Sequence, residues 1–86
     1  MEGRARVAWN LRRLRVERGI TQEGLAVDAG VDRTYVSGIE RREFNPTVDL
    51  LDRLAAALTV DILDLLAEPA SDDVAPLPLP AGRKRR

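Results

Sequence analysis

The apolar residues of this chain recur at helical rather than alternating spacing, and punctuating residues divide them into five blocks. In the first block Val7, Leu11 and Leu14 stand at i, i+4 and i+7, which predicts a helix from residue 3 or 4 to residue 18, ended by Gly19. Trp9 and Val16 fall off that stripe and are expected to cover another helix, the tail or a second subunit. Ile20 anchors the turn that follows. Thr21 can cap a second helix, Gln22–Ala29, in which Leu25, Ala26 and Ala29 make one narrow apolar face. Gly30 suits the left-handed backbone that ends a helix sharply, and Val31 fills the elbow. Asp32 is placed to cap a third helix over residues 33–41, with Tyr35, Val36 and Ile39 expected inward.

Residues 42–46 read as a loop, with Asn before Pro as turn chemistry, and Thr47 as the next cap. Val48–Leu58 then carries Leu50, Leu51, Leu54, Ala55 and Leu58 at helical spacing, the main core-filling element. Thr59 and Val60 break the pattern. Asp61 can cap a fifth helix that holds Ile62, Leu63, Leu65 and Leu66 and ends near Ala67. The predicted fold is all-α: a compact five-helix domain over residues 1–68. Residues 69–86 hold four of the five prolines and end in GRKRR, so they are expected to form a Pro-rich, disordered tail. That basic end reads either as a solubilising terminus or as a phosphate contact without sequence preference. The fifth helix is apolar over most of its circumference, more than so small an interior can hide. Ile62, Leu65 and Leu66 are therefore expected at a homodimer interface, unless the tail folds over them.

Composition narrows the chemistry. The absence of cysteine and histidine excludes a disulfide scaffold, the usual zinc ligands and the commonest general base. The only lysine is Lys84 in the tail, and there is no glycine-rich phosphate loop. No enzyme, metal or cofactor is expected. No apolar run approaches the roughly 20 residues that span a bilayer, and no signal-peptide core begins the chain, so a cytoplasmic protein without a membrane partner is expected. Net charge is zero, yet its distribution is uneven. Residues 1–42 carry nine arginines against six acidic residues, residues 43–68 one arginine against six, and the remainder four basic residues against two. A basic half thus faces an acidic back.

On the third helix, Arg33, Thr34, Ser37, Gly38 and Arg41 form the face opposite the expected core. Small and polar residues there leave room for something flat and charged, and Arg33 in the first turn could reach a guanine edge with its forked donors. A merely solvated face fits those residues equally well. Arg15, one residue beyond Leu14, could run along the protein to the Glu40 carboxylate as a partly buried, bidentate pair; two unrelated surface charges are the alternative, and spacing does not choose.

The stretch LRRLRVERGITQEGLAVDAGVDRTYVSGIERREFNPTVDLLDRLAAALTVDILDLL, taken whole, resembles the Cro and phage-repressor type of helix-turn-helix domain, the XRE family. The spaced LR, RG, TQ, LA and AG, the helix ending in IE, the NPT loop and the LAAAL helix carry the resemblance over residues 7–66. VDRTYVSGIERR is similar to the small controller proteins of restriction-modification systems. The resemblance implies a lambda-repressor-like fold and a dimer on a pseudo-palindromic operator in double-stranded DNA. By position it implies that Arg33, Thr34, Ser37 and Gly38 face bases. Gln22, Arg41, Arg42 and Asn45 would meet phosphates, and Arg15 and Glu40 would form the family's structural ion pair. Three positions depart from the family pattern. Gly24 stands inside the second helix, and Arg42 and Thr59 stand where glycine is usual.

The expected function is that of a transcriptional regulator that controls genes including its own, with RNA polymerase contact possible through the acidic back. An antitoxin or antiactivator-type adaptor, which would use the same fold to hold a partner protein, is the alternative.

Overall fold

Among the described residues five helices form, each on an apolar stripe and all but the first behind a side-chain cap: α1 (Gly3–Glu17), α2 (Gln22–Ala29), α3 (Arg33–Glu40), α4 (Val48–Leu58) and α5 (Ile62–Leu66). The structure is a computed structural model that describes residues 1–69. The expected disorder of the tail and any role for GRKRR lie outside those residues. Among the described residues no helix is long and apolar enough to cross a membrane. Nor does any group of acidic side chains there have the arrangement of a metal site.

Four helix starts are closed by a side chain. The Thr21 hydroxyl accepts from the Gly24 N–H at 2.9 Å, and Asp32 accepts from Thr34 at 3.1 Å. Thr47 accepts from Leu50 at 3.0 Å, and Asp61 from Leu63 at 2.8 Å. Each bond satisfies a backbone donor that has no partner within its helix. At Asp61 the device is reciprocal, since Asp64 accepts from the Asp61 N–H at 3.1 Å; this capping box starts a helix of only five residues. The α2–α3 elbow is equally tight. Gly30 takes a left-handed φ of 72°, and the Val31 N–H reaches back to the Ala26 carbonyl at 2.9 Å.

α1 packs against α3 and α5, while α2 packs on α3 and α4. Leu11, Leu25, Val36, Ile39, Leu54, Leu58 and Leu65 are fully buried where these helices meet. A buried polar residue joins α1 to the end of α5: Asn10 Nδ2 donates to the Leu65 and Ala67 carbonyls at 3.0 and 2.7 Å. These are carbonyls that a five-residue helix cannot pair internally, so Asn10 closes α5 from outside.

Two inward and outward expectations are corrected. Tyr35 is not a core residue; it is 51% exposed, at the margin of the face formed by Val36 and Ile39. Leu65 is not available at a dimer surface, because it is fully buried against α1 and α4 neighbours in its own protomer. Leu63 is the strongly exposed apolar residue of α5, with Ile62 and Leu66 partly covered.

Arg42 and Thr59 both take left-handed backbone, with φ of 63° and 60°. Side chains with a Cβ pay about 1 kcal/mol or more there, and a β-branched one is the worse case. Thr59 ends α4, and the Val60 N–H bonds to the Ala55 carbonyl at 2.9 Å across it. Thr59→Gly is expected to stabilise the fold by about 0.5–1 kcal/mol, the strain relief exceeding the extra freedom glycine gives the unfolded chain. Urea unfolding of the two proteins checks it, and an unchanged or lower midpoint would contradict it.

Candidate nucleic-acid interface

Glu40, the last residue of α3, is the hub of this face. Its side chain is fully buried, and its two oxygens accept four hydrogen bonds. Arg15 supplies two of them in a fork, Nε to Oε2 at 2.7 Å and Nη2 to Oε1 at 3.0 Å. Arg12 Nε donates to Oε1 at 3.1 Å, and Gln22 Nε2 donates to the same oxygen at 3.0 Å. Arg15 is itself buried, and its Nη1 donates to the Ile20 carbonyl at 2.8 Å. Burial pushes the Glu40 carboxyl up, but the bonds and charge of Arg15, with the donors of Gln22 and Arg12, outweigh it and leave the carboxyl below its ordinary range.

This hub fixes the start of α2 relative to α3. One of the two Gln22 amide hydrogens is committed to Glu40, so the orientation of the amide is set and its other N–H remains available. On α3, Arg33 and Thr34 are exposed in the first turn, and Arg33 has no side-chain hydrogen bond or ion pair among the described residues. Ser37, one turn on, is partly exposed and its hydroxyl accepts from Arg41. Arg41 also donates to Glu43 at 3.0 Å; their bond and charge lower the Glu43 carboxyl and raise the Arg41 guanidinium relative to their ordinary values. Arg42 and Asn45 are exposed in the loop that follows.

Gly38, unlike Arg33, Thr34 and Ser37, is covered by its own chain. It is buried, and a Cβ built on it would lie 2.5 to 2.9 Å from three ring carbons of Phe44. The ring of Phe44 folds back from the loop onto the bare helix backbone, and the Glu43 N–H bonds to the Gly38 carbonyl at 2.8 Å beneath it. Tyr35 meets the same ring at a centroid distance of 5.7 Å with the planes tilted by 58°. Gly38 thus seats the ring that holds the loop. Gly24 has a related reason: a Cβ there would stand 3.2 Å from the Thr21 hydroxyl that caps α2.

Arg12, Phe44, Tyr35 and Glu43 were not among the residues expected at this face. The shared glutamate that links Arg12 to Gln22 lies 28 residues away in sequence, and no local pattern announces it.

Two outcomes follow. Glu40→Gln removes the charge that compensates buried Arg15 and is expected to cost about 3 kcal/mol. Because the folded carboxyl titrates below its unfolded value, the stability it contributes is present above the ordinary glutamate range and is lost as pH falls through the folded value. Urea unfolding from pH 7 to 3 should therefore show a smaller acid-dependent loss in Glu40→Gln than in the parent, and equal losses would contradict this. For the loop, Gly38→Ala should cost about 1 kcal/mol by displacing the Phe44 ring, and less when Phe44→Ala is already present. Strict additivity in that double-mutant cycle would rule the contact out as the cause.

Against known proteins, residues 11–65 match the family model described as helix-turn-helix. A hypothetical transcription factor of Neisseria meningitidis serogroup B is 47% identical over 55 residues, which is 64% of this chain and 52% of the relative, so the match spans about half that protein's length. The crystal structure of a hypothetical transcription factor from Neisseria superposes with a TM-score of 0.77 at 44% identity, covering 79% of this chain and 78% of that one. The restriction-modification controller protein C.AhdI of Aeromonas hydrophila follows at a TM-score of 0.70 and 37% identity, over 72% and 94% of the two chains. A second controller protein, C.Esp1396I, has been solved with single alanine replacements of an arginine, a threonine and a tyrosine at consecutive positions. With two helices set by a glycine elbow, a buried Arg15–Glu40 fork behind them, and a family model matched over more than half its length, the chain belongs to the helix-turn-helix family of the Cro/C1, or XRE, type.

Proposed function

We infer that this protein is a sequence-specific, DNA-binding transcriptional regulator. The observation that carries the inference is the state of Arg33: exposed, uncommitted among the described residues, and mounted in the first turn of a helix whose angle is fixed through Glu40. Its five donors in a rigid fork match the N7 and O6 acceptors of guanine in the major groove. Thr34 and Ser37 lie on the same face and read the adjoining bases. Gly38, closed off by Phe44, contributes no base contact in this scheme. Tyr35 joins the reading face instead, because the order Arg33, Thr34, Tyr35 repeats the arginine, threonine and tyrosine altered in the solved controller protein.

Phosphate contacts set the register. Gln22 offers its second amide hydrogen from the start of α2, while Arg41, Arg42 and Asn45 flank the groove from the loop. Arg41 meets a phosphate by exchanging Glu43 for it, one exposed ion pair for another. A dimer formed through Leu63, Ile62 and Leu66 would present two recognition helices to half-sites about 34 Å apart on a pseudo-palindromic operator. The operator includes the promoter of the protein's own gene. The exposed acids Asp49, Asp52 and Asp64 form a surface on the acidic half for RNA polymerase.

The test is fluorescence anisotropy over a salt series, with DNA from upstream of the protein's own gene beside unrelated duplex DNA. Arg33→Ala is expected to weaken upstream binding by about 1–3 kcal/mol while the weak, salt-sensitive binding to unrelated DNA persists. Equal, poor binding of both duplexes by parent and variant would remove this promoter as the target. Failure across an operator selection from random duplexes would remove the regulator reading and favour a protein partner.

A further inference from the structure

Between the amino half of α1 and the carboxyl end of α3 lies an open cleft of about 120 Å³, to which the reading above assigns nothing from α1. Met1, Ala5, Ala8 and Trp9 form its apolar wall, and Arg12, Glu40 and Arg42 its polar one. The donors around it outnumber the acceptors. Trp9 Nε1 is buried and has no hydrogen-bond partner among the described residues, a condition that carries a desolvation cost until an acceptor arrives. Glu40 does not serve it, since the carboxylate accepts from Arg15, Arg12 and Gln22 instead.

Arg12 spends only its Nε on that carboxylate. Its two Nη groups remain, carrying four N–H bonds, on a side chain that is 30% exposed. Arg42 reaches the same cleft from the left-handed corner after α3. Glu40 is already matched by buried Arg15, so Arg12 and Arg42 leave the charge lining the cleft positive. Such a cleft suits an oxyanion. Its place narrows the source: Arg42, assigned above to the DNA backbone, lines the cleft, and Arg12 shares a Glu40 oxygen with Gln22, assigned to it as well.

We propose that the cleft is a further backbone-phosphate site, in which Arg12 and Arg42 hold a phosphodiester of the bound duplex against the Trp9 wall. The proposal rests on the DNA-binding reading and adds to it a contact made from α1. It also gives Glu40 a second office: by taking Nε of Arg12 it turns the guanidinium so that the free edge faces the cleft. Because the contact is to phosphate, it contributes to affinity on every duplex and to discrimination on none.

The experiment uses the full chain and the duplexes of the preceding test. In Arg12→Gln the slope of log K against log salt should fall in magnitude by about 0.9, the value for one lost phosphate contact. Operator and unrelated DNA should weaken by the same factor, leaving their ratio unchanged. Arg12→Lys should keep the parent slope, and Arg42→Gln should repeat the loss without touching the Glu40 hub. Trp9 is the only tryptophan in the chain, so its emission reports the cleft directly. It should shift as DNA saturates the protein and stay still with inorganic phosphate at equal ionic strength. If DNA binds with Arg33-dependent discrimination but Arg12→Gln keeps the parent slope, the phosphate site is overturned and the regulator reading stands, whatever Arg42→Gln does. A Trp9 response to inorganic phosphate equal to that with DNA would overturn it in favour of a free-anion pocket. Absence of binding to any duplex removes both readings together.

Discussion

The structure turns on one buried carboxylate. Glu40 sits with its side chain out of water, where a single negative charge is tolerable only if its partners are near and well aimed. Those partners come from two other helices: Arg15 and Arg12 from α1, and Gln22 from the first turn of α2. Arg15 also holds the Ile20 carbonyl, so the turn between α1 and α2 is tied to the same point. Apolar side chains would let three short helices slide over one another with little change in buried area. A forked arginine on a fixed carboxylate does not, because both distance and plane are specified. The angle at which α3 is presented is therefore an electrostatic property first and a packing property second.

Around that hub, the chain closes its helix ends economically. Thr21, Asp32, Thr47 and Asp61 each satisfy a helix start, and Asn10 supplies from α1 what the short α5 lacks at its finish. Strain is concentrated at Arg42 and Thr59, the two non-glycine residues in left-handed backbone among the described residues. The two are unlike in consequence. Thr59 lies between supporting helices, whereas Arg42 leaves α3 toward the candidate phosphate contacts. There a charged side chain occupies a position that backbone strain alone would give to glycine.

Most of the architecture was legible in the sequence, because helix periodicity and capping are local. Val7, Leu11 and Leu14 or Leu51, Leu54 and Leu58 announce a buried stripe within a dozen residues, and each cap precedes its helix. The misplacements at Leu65, Tyr35 and Gly38 have a different origin. Five residues are too few for periodicity to define a face, so Leu65 could not be told from its neighbours. Tyr35 shares a side of α3 with Ile39, and only the returning loop shows that it belongs with Phe44 at the margin. Gly38 lies within reach of the reading face, and its burial depends on a ring six residues away across a chain reversal. Arg12 and Asn10 are likewise explained by partners 28 and 55 residues off.

The seating of Phe44 on Gly38 has a consequence for how such a surface could diversify. A helix position that already lodges a ring from its own chain is withdrawn from the set that can be exchanged to address a new DNA sequence. Any lineage acquiring a side chain at 38 must also replace or re-route the aromatic at 44, so the two positions should drift together as a pair. On the proposed reading, the repertoire open to single substitutions is correspondingly narrower, confined to Arg33, Thr34, Tyr35 and Ser37. For retargeting by directed evolution, a library that varies 38 alone would spend most of its members on loops out of place.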